Sequence, residues 1–355
     1  MKTLSPNRVF IAAEISANHG QNLNRALTLI HKAKECGADA VKFQTYTPET
    51  LTLNADNKYF RIHHPKWGGQ TLYQLYQKAH TPWGWFKKLK KEADAIGIAF
   101  FSTAFDKTSV DFLEDLGVFC HKIASFELVD LPLIEYAAKT KKRLIMSTGM
   151  ATLEEIKEAV SAAKCGGAKS VTLLKCVSSY PAKPEAMNLR TIADMRKKFK
   201  LPIGLSDHSP GIVASVTSVA LGATMIEKHF TLSRRIETPD SFFSIEPREL
   251  QELVHHVRMA EQSLGRVHYG LTKDEMKSRV FRRSLFAVQD ISMGEKFSND
   301  NIKSIRPAGG LKPKYLKLVI GKRARLNLRR GTPLSGDAVM GKQISKKLMG
   351  FNHHG

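Results

Sequence analysis

Residues Gly37–Gln44 read GADAVKFQ: a Gly-Ala step, a short apolar run, then Lys42 and Gln44 near its end. The step returns at Gly167-Ala168 before SVTLLKC (170–176) and at Gly222-Ala223 before TMIEKHF (224–230). Segments with helical apolar spacing precede the first two, NLNRALTLIHKAKECG and TLEEIKEAVSAAKCGG. Glycine after such a segment stops a helix, so the unit is helix, tight stop, strand. Five more runs have the same character: VFIAAEIS (9–16), GIAFFS (97–102), FCHKIAS (119–125), RLIMST (143–148) and PIGLSD (202–207). Thr152, with Glu155 three residues on, forms a capping-box pattern after the fifth strand.

Eight strands alternating with helices predict an α/β fold with a parallel sheet closed as a (β/α)8 TIM barrel, assigned to residues 1–265. The alternative is an open doubly wound sheet. It usually carries a Gly-rich phosphate loop after the first strand, and EISANHGQN (14–22) is not GxGxxG. The connection from Thr45 to Pro82 is out of scale and rich in Tyr, His and Trp. It follows the second strand, so it belongs on the face where barrel active sites are built. Beyond the barrel the pattern predicts a linker with some helix (266–283), a small mostly-β domain (284–345) and a C-terminal tail (346–355).

Composition sets outer limits. The chain has 355 residues, 42% apolar and 25% charged, an ordinary globular balance. No apolar run approaches the ~18 residues of a membrane span, and Glu14 interrupts the only candidate leader. Cys36, Cys120, Cys165 and Cys176 lack CxxC spacing and lie in apolar-looking segments. They read as reduced thiols of a cytoplasmic protein. The net charge is +22; from Arg279 onward 17 Lys and Arg stand against 4 Asp and Glu. These cations form neither an aromatic-interleaved stripe nor a basic helix. They read as a solvated surface or as steering for anionic substrates, with no nucleic acid and no membrane as partner.

In such a barrel, function sits at the C-terminal strand ends. Polar residues crowd there: Glu14, Ser16, Asn18 and His19; Lys42 and Gln44; Ser102 and Thr103; Lys122, Ser125 and Glu127. The later strands add Ser147 and Thr148; Lys175, Ser178 and Tyr180; Ser206, Asp207 and His208; Glu227, Lys228 and His229. His208 and His229 end neighbouring strands, ~4.8 Å apart, and can share a divalent cation. Imidazole suits Zn, Mn, Fe, Co or Ni. Two His leave a shell for water and substrate to complete, as in a catalytic site. His19 is a third candidate. Lys42 and Lys122, with Thr103, Ser125 and Ser206, make a clamp for phosphate or carboxylate. Alternatively they form ion pairs with Glu14, Glu127 or Asp207. Lys175 and Lys228 read as barrel-interior or bottom partners. Glu14 is the acid/base candidate, since burial would raise its pKa; its plainer reading is a counter-ion for Lys42. Asp207 is either a partner behind a His or a counter-ion for a clamp Lys.

The sequence resembles the sialic-acid synthase family, the nonulosonate synthases that condense phosphoenolpyruvate with an N-acetylated hexose. The matching motifs are AEISANHGQNLNRALTLIHKAKECGADAVKFQTY, FSTAFD, KIASFEL, STGMATLEEI, KCVSSYP, GLSDHS and GATMIEKHFTL, in the family's order. SLFAVQDISMGEKFSNDNIKSIRPAGG is similar to the start of the family's antifreeze-like (SAF) domain. The resemblance implies a transferase that releases phosphate with C–O cleavage and uses Mn, Mg or Co on His208 and His229. It implies phosphoenolpyruvate contacts at Lys42, Thr103, Lys122, Ser125, Ser206 and His208. It adds Ser178, where the family often has Asn. The sugar would meet Glu14, Gln44, Glu127, Tyr180 and Asp240. In a domain-swapped homodimer, Arg306 would reach the partner's sugar. WGGQTLYQLYQKAHTPWGW and TPDSFFSIEP differ from the shorter patterns of N-acetylneuraminate and legionaminic acid synthases, which points to another amino-hexose. Two rivals stay open: a Schiff-base aldolase using Lys122 or Lys175, and a non-catalytic binding protein.

Overall fold

A computed structural model describes residues 8–341. The chain divides into two compact units between Gly265 and Arg266. In the first, β1 (Phe10–Glu14), β2 (Ala40–Thr45), β3 (Ala99–Ala104), β4 (Cys120–Ile123), β5 (Arg143–Ser147), β6 (Ser170–Cys176), β7 (Ile203–Asp207) and β8 (Met225–His229) pair in order. They close into a parallel barrel, with Glu14 opposite Lys42 on one side and His229 on the other. The predicted (β/α)8 architecture is present, and the open sheet is excluded.

Each strand is followed by helix. α1 (Leu23–Glu35) follows β1; α2 (Pro48–Leu51), α3 (Leu72–Ala79) and α4 (Phe86–Ile96) follow β2; α5 (Lys107–Leu116) and α6 (Leu131–Lys139) follow β3 and β4. α7 (Leu153–Cys165), α8 (Thr191–Phe199), α9 (Val213–Ala220) and α10 (Pro247–Leu264) complete the ring. Thr152 accepts from the Glu155 backbone N–H and Glu155 reaches back to Thr152, so the capping box starts α7. Gly37, Gly167 and Gly222 have φ of 88°, 92° and 91°, where a side chain would be strained. The Gly-Ala repeat therefore marks three identical left-handed exits from helix into strand.

Strand alternation creates two cores. Outward residues such as Ile11, Val41, Leu173 and Ile226 pack against the helices. Inward ones, Phe10, Ala12, Ala40, Phe101, Cys120, Ile145, Leu174 and Met225, fill the barrel. Following the inward set two residues at a time toward the C-terminal ends gives Glu14, Lys42, Gln44, Thr103, Lys122, Ser147, Cys176, Ser206, Glu227 and His229. Apolar filling below thus gives way to a polar site above.

The second unit contains α11 (Lys273–Ser278), β9 (Ser284–Ala287), β10 (Ile302–Ile305) and α12 (Leu316–Val319). β9 and β10 pair antiparallel, and isolated bridges such as Ile291–Leu328 and Ala324–Val339 extend the β character. Leu285, Phe297, Ile302, Val319 and Leu334 form its own core. The expected tail at 346–355, and the last residues of the expected domain, lie outside the described residues. Among the described residues no helix is long and apolar enough to cross a membrane. The four thiols are free, but Cys165 is exposed at the end of α7, contrary to the expectation that all four sit in apolar surroundings.

Candidate active site

The polar top of the barrel is organised around two carboxylates and two lysines. Lys42 Nζ donates to Glu14 Oε2 and lies 3.2 Å from Glu227 Oε1. Lys122 Nζ lies 4.0 Å from Glu227 Oε2 and donates to Ser147 Oγ at 2.6 Å. Gln44 Nε2 donates to Glu14 Oε1 at 3.0 Å and to Ser16 Oγ at 2.8 Å. Ser206 Oγ is 3.5 Å from Glu227 Oε1. All four charged side chains are buried, so each must settle its charge against the others.

They settle it unequally. Burial pushes the Glu14 carboxyl up to about 7, with Lys42 pulling back and Glu227 adding to the rise. Burial works on Glu227 in the same sense, but Lys122 and Lys42 together outweigh it and hold that carboxyl low. Burial lowers Lys122, offset in part by Glu227. Burial also acts against the Lys42 ammonium, and Glu14 and Glu227 overcome it. Glu227 is therefore the resident anion between two cations, while Glu14 is poised to gain or lose a proton near neutrality. Glu127, in the loop after β4, is likewise raised to about 7 by burial.

His208 and His229 stand beside this cluster with ring centroids 5.3 Å apart. His208 Nδ1 is 2.9 Å from the Val177 carbonyl, which can only accept. Nδ1 therefore carries a proton, which makes Nε2 the nitrogen that could ligate once the ring is neutral. Burial, reinforced by His208, holds His229 far below its ordinary value, hence neutral. Its Nδ1 is buried without a hydrogen-bond partner and lies 3.7 Å from Asp240 Oδ2. Among the described residues no group of three or more His, Cys, Asp or Glu gathers as a ready metal cage. His229 is neutral, whereas burial of His208 is outweighed by Cys176 and the Val177 carbonyl, which raise its pKa. The two imidazoles with a nearby carboxylate fit a divalent cation that would displace the His208 proton and leave its remaining positions to water and substrate. Thr103 Oγ1, Glu127 Oε2 and Glu227 Oε2 are also buried without hydrogen-bond partners, so ligand oxygens or protons have groups to meet.

Loops complete the surroundings. Ser125 Oγ accepts from the Gly149 N–H at 3.0 Å. A Cβ at Gly149 would fall 2.1 Å from Ser178 Oγ, so this glycine lets Ser125 and Ser178 converge. Tyr180 packs on His208 at 4.4 Å between centroids, and Phe243 on His229 at 4.7 Å. Asp240 Oδ2 accepts from the Ala17 N–H at 3.3 Å, tying the loop after β8 to the loop after β1. Thus, with Glu227 and Ser16 as links, Glu14, Lys42, Gln44, Lys122, Ser206, His208, His229, Tyr180 and Asp240 are joined in one network. Arg306 belongs to the second unit, where it is exposed just after β10.

Three expectations change. His19 does not join the pair. Its Nδ1 accepts from the Gln21 N–H at 3.2 Å and its Nε2 meets Thr81 Oγ1 at 3.0 Å, so both nitrogens hold loops together. Lys228 is neither interior nor at the bottom: it points outward and pairs with Asp207 at 2.9 Å. Asp207 consequently serves neither a histidine nor a clamp lysine. Conversely, Glu227 had no assigned role in the sequence. Its signal was there: it lies two residues before His229, on the same face of one strand.

A closed (β/α)8 barrel with charged, hydrogen-bonding and imidazole groups at the C-terminal ends of its strands is the architecture of a barrel enzyme. The chain belongs to the NeuB family, which matches residues 29–269, and residues 282–340 match the SAF domain. It is 45% identical to the pseudaminic acid synthase of Campylobacter jejuni over 92% of this chain and 95% of that one. It is 42% identical to the pseudaminic acid synthase of Helicobacter pylori over 93% and 97%. Among solved structures, it superposes on the N-acetylneuraminic acid (sialic acid) synthetase of Leptospira borgpetersenii with a TM-score of 0.69. That pair shares 36% identity over 77% of this chain and 91% of the other.

Proposed function

We propose that this chain is a pseudaminic acid synthase. It condenses phosphoenolpyruvate with 2,4-diacetamido-2,4,6-trideoxy-β-L-altropyranose and releases phosphate with C–O cleavage. The observation that carries the reading is the 42–45% identity to pseudaminic acid synthases across nearly the whole chain. The clustered strand-end side chains supply the means.

In this reading, Lys42 and Lys122 hold the carboxylate and phosphate of phosphoenolpyruvate, with Thr103, Ser125, Ser178 and Ser206 as hydroxyl partners. The ionised Glu14 takes the anomeric hydroxyl proton as the C1–O5 bond breaks and returns it to the ring oxygen, which becomes the C5 hydroxyl of the open-chain aldehyde. Gln44 keeps Glu14 aimed, while Glu127, Tyr180 and Asp240 border the sugar. His208 and His229 would hold a divalent cation, Mn, Mg or Co, which would supply Lewis-acid polarisation of the aldehyde oxygen. C3 of phosphoenolpyruvate then bonds to C1 of the sugar. Water adds at C2, and breaking the C2–O bond to phosphate leaves the 2-keto acid. We include a domain-swapped homodimer in the proposal, with Arg306 of one copy meeting the acetamido group at the other's sugar. Sedimentation tests the dimer. The reading as a cytoplasmic enzyme follows from its expected substrates.

Incubation with phosphoenolpyruvate, Mn²⁺ and a panel of amino-hexoses, with products identified by mass, tests the function. The trideoxy sugar should be the preferred acceptor. Preference for N-acetylmannosamine would overturn the assignment and favour an N-acetylneuraminate synthase.

A further inference from the structure

The long connection after β2 places one large ring against the site. Trp67 Nε1 donates to the Pro239 carbonyl at 2.7 Å, fastening that connection to the segment that carries Asp240, Phe242 and Phe243. The Trp67 ring lies 5.6 Å from Tyr180 and 6.0 Å from Phe242, and its other neighbour, His64, stacks on it at 4.4 Å. Tyr180 in turn contacts both His208 and His229, and Phe243 contacts Tyr180 at 5.1 Å. The rings thus run outward in order: the imidazole pair, then Tyr180 and Phe243, then Trp67 and Phe242.

The chemistry of this array changes along its length. Near the histidines it is bordered by carboxylates, lysines and hydroxyls. At the outer end, Phe242 has no polar side-chain atom, the only polar side-chain atom of Trp67 is committed to Pro239, and Lys66 Nζ stands 6.0 Å from the Phe242 ring centroid. The two ring surfaces themselves offer no free donor or acceptor and cannot recompense a sugar hydroxyl for lost water. It can cover a methyl group at no such cost, and an aromatic face does so with a large contact area. The reacting C1 of the sugar must lie by the imidazoles, so the far end of the acceptor, C6, extends toward the outer rings.

We propose that Trp67, with Phe242, is a specificity-determining element that selects acceptors carrying a methyl group at C6 over those carrying a hydroxymethyl group. The inference rests on the proposed synthase function and deepens it. Glu14 and the imidazoles act at C1 and Lys42 holds phosphoenolpyruvate, so none of them senses C6.

The test compares kcat/KM for the 6-deoxy diacetamido sugar with that for its 6-hydroxy counterpart, each with saturating phosphoenolpyruvate and Mn²⁺. Apolar pockets discriminate modestly, so the unaltered enzyme should favour the 6-deoxy sugar by roughly 10- to 100-fold. Trp67→Ala should reduce that preference to about threefold or less, mainly through a higher KM for the 6-deoxy sugar. Phe242→Ala should shift it in the same direction. Trp67→Phe keeps the ring without the N–H and should retain most of the preference. An equal loss on both sugars in Trp67→Ala, or a Trp67→Phe enzyme as unselective as Trp67→Ala, overturns the inference alone. No turnover of the 6-deoxy sugar by the unaltered enzyme overturns the proposed function, and this inference with it.

Discussion

Lys228 Nζ lies 2.9 Å from Asp207 Oδ2, an ion pair on the outer face of the barrel directly behind the polar site. Both side chains are buried. Asp207 also accepts from Ser215 Oγ at 2.5 Å and from the Ser209 N–H at 2.8 Å, and Lys228 donates to the Ser209 carbonyl. Burial opposes the carboxylate, yet Lys228 and the two serines hold its pKa below the ordinary range. The pair locks β7 to β8 and fixes the turn that follows His208.

Removing one partner should therefore cost more than removing both. Asp207→Asn leaves a buried ammonium without its counter-charge, a change expected to destabilise by about 3–5 kcal/mol. The double variant Asp207→Asn, Lys228→Met should recover a substantial part. Urea unfolding of the three proteins measures this. A double variant at least as unstable as the single one would show that the charge pairing is not what matters.

Glu14 gives a pH dependence with a definite sign. Its folded pKa, about 7, lies above the ordinary 4.5. The stability this group contributes is complete below 4.5 and is lost as pH rises through about 7. Glu14→Gln cannot ionise, so its melting temperature should gain on the unaltered protein between pH 5 and pH 8. Catalysis runs the other way: kcat/KM should fall on the acidic side of about pH 7 as the base is protonated. The same substitution should lower kcat by roughly 10²–10⁴-fold and remove that acidic limb. A Glu14→Gln enzyme that keeps the limb would assign it to another group.

Much of this was readable in advance, for identifiable reasons. Eight strands showed because each buries both faces, which leaves compact apolar runs, and because Gly37, Gly167 and Gly222 repeat one backbone turn. The strand-end list contained Glu227, Asp207 and Lys228, but a list of ends carries no facing. Counting by twos from Met225 separates Glu227 and His229, which point inward, from Lys228, which points outward. His19 looked like a ligand because its partners, Thr81 and Gln21, are set by loop closure. The reach of Trp67 to Pro239 spans 172 residues, and no local pattern encodes a hydrogen bond of that separation.

The imidazole pair predicts a metal effect visible without turnover. Mn²⁺ at 100 times its dissociation constant should stabilise the folded protein by about 2.7 kcal/mol, seen as a rise in melting temperature. His208→Ala or His229→Ala should abolish the shift, and a chelator should abolish activity until the metal is restored. An undiminished shift in both variants would place the cation elsewhere.

Lys122 decides between the proposed condensation and a Schiff-base aldolase on the same fold. Burial lowers its pKa, which is also how an imine-forming lysine is activated. Its surroundings argue for the other role. Nζ donates to Ser147 Oγ at 2.6 Å and to the Ile123 carbonyl at 3.0 Å, with the Glu227 carboxylate 4.0 Å away. Acceptors on several sides favour an ammonium and bind its protons, and an ammonium attracts an anion but cannot attack a carbonyl. Lys175 donates to the Cys176 carbonyl at 2.9 Å and lies one residue off the inward-facing set. Treatment with pyruvate and borohydride should therefore leave both mass and activity unchanged. Lys122→Met should lower kcat/KM for phosphoenolpyruvate by roughly 10²–10³-fold through lost charge stabilisation. In ¹⁸O-labelled water, the label should appear in the sugar acid and not in the released phosphate. A reduced adduct on Lys122 or Lys175, or label in the phosphate, would replace the condensation with a different chemistry.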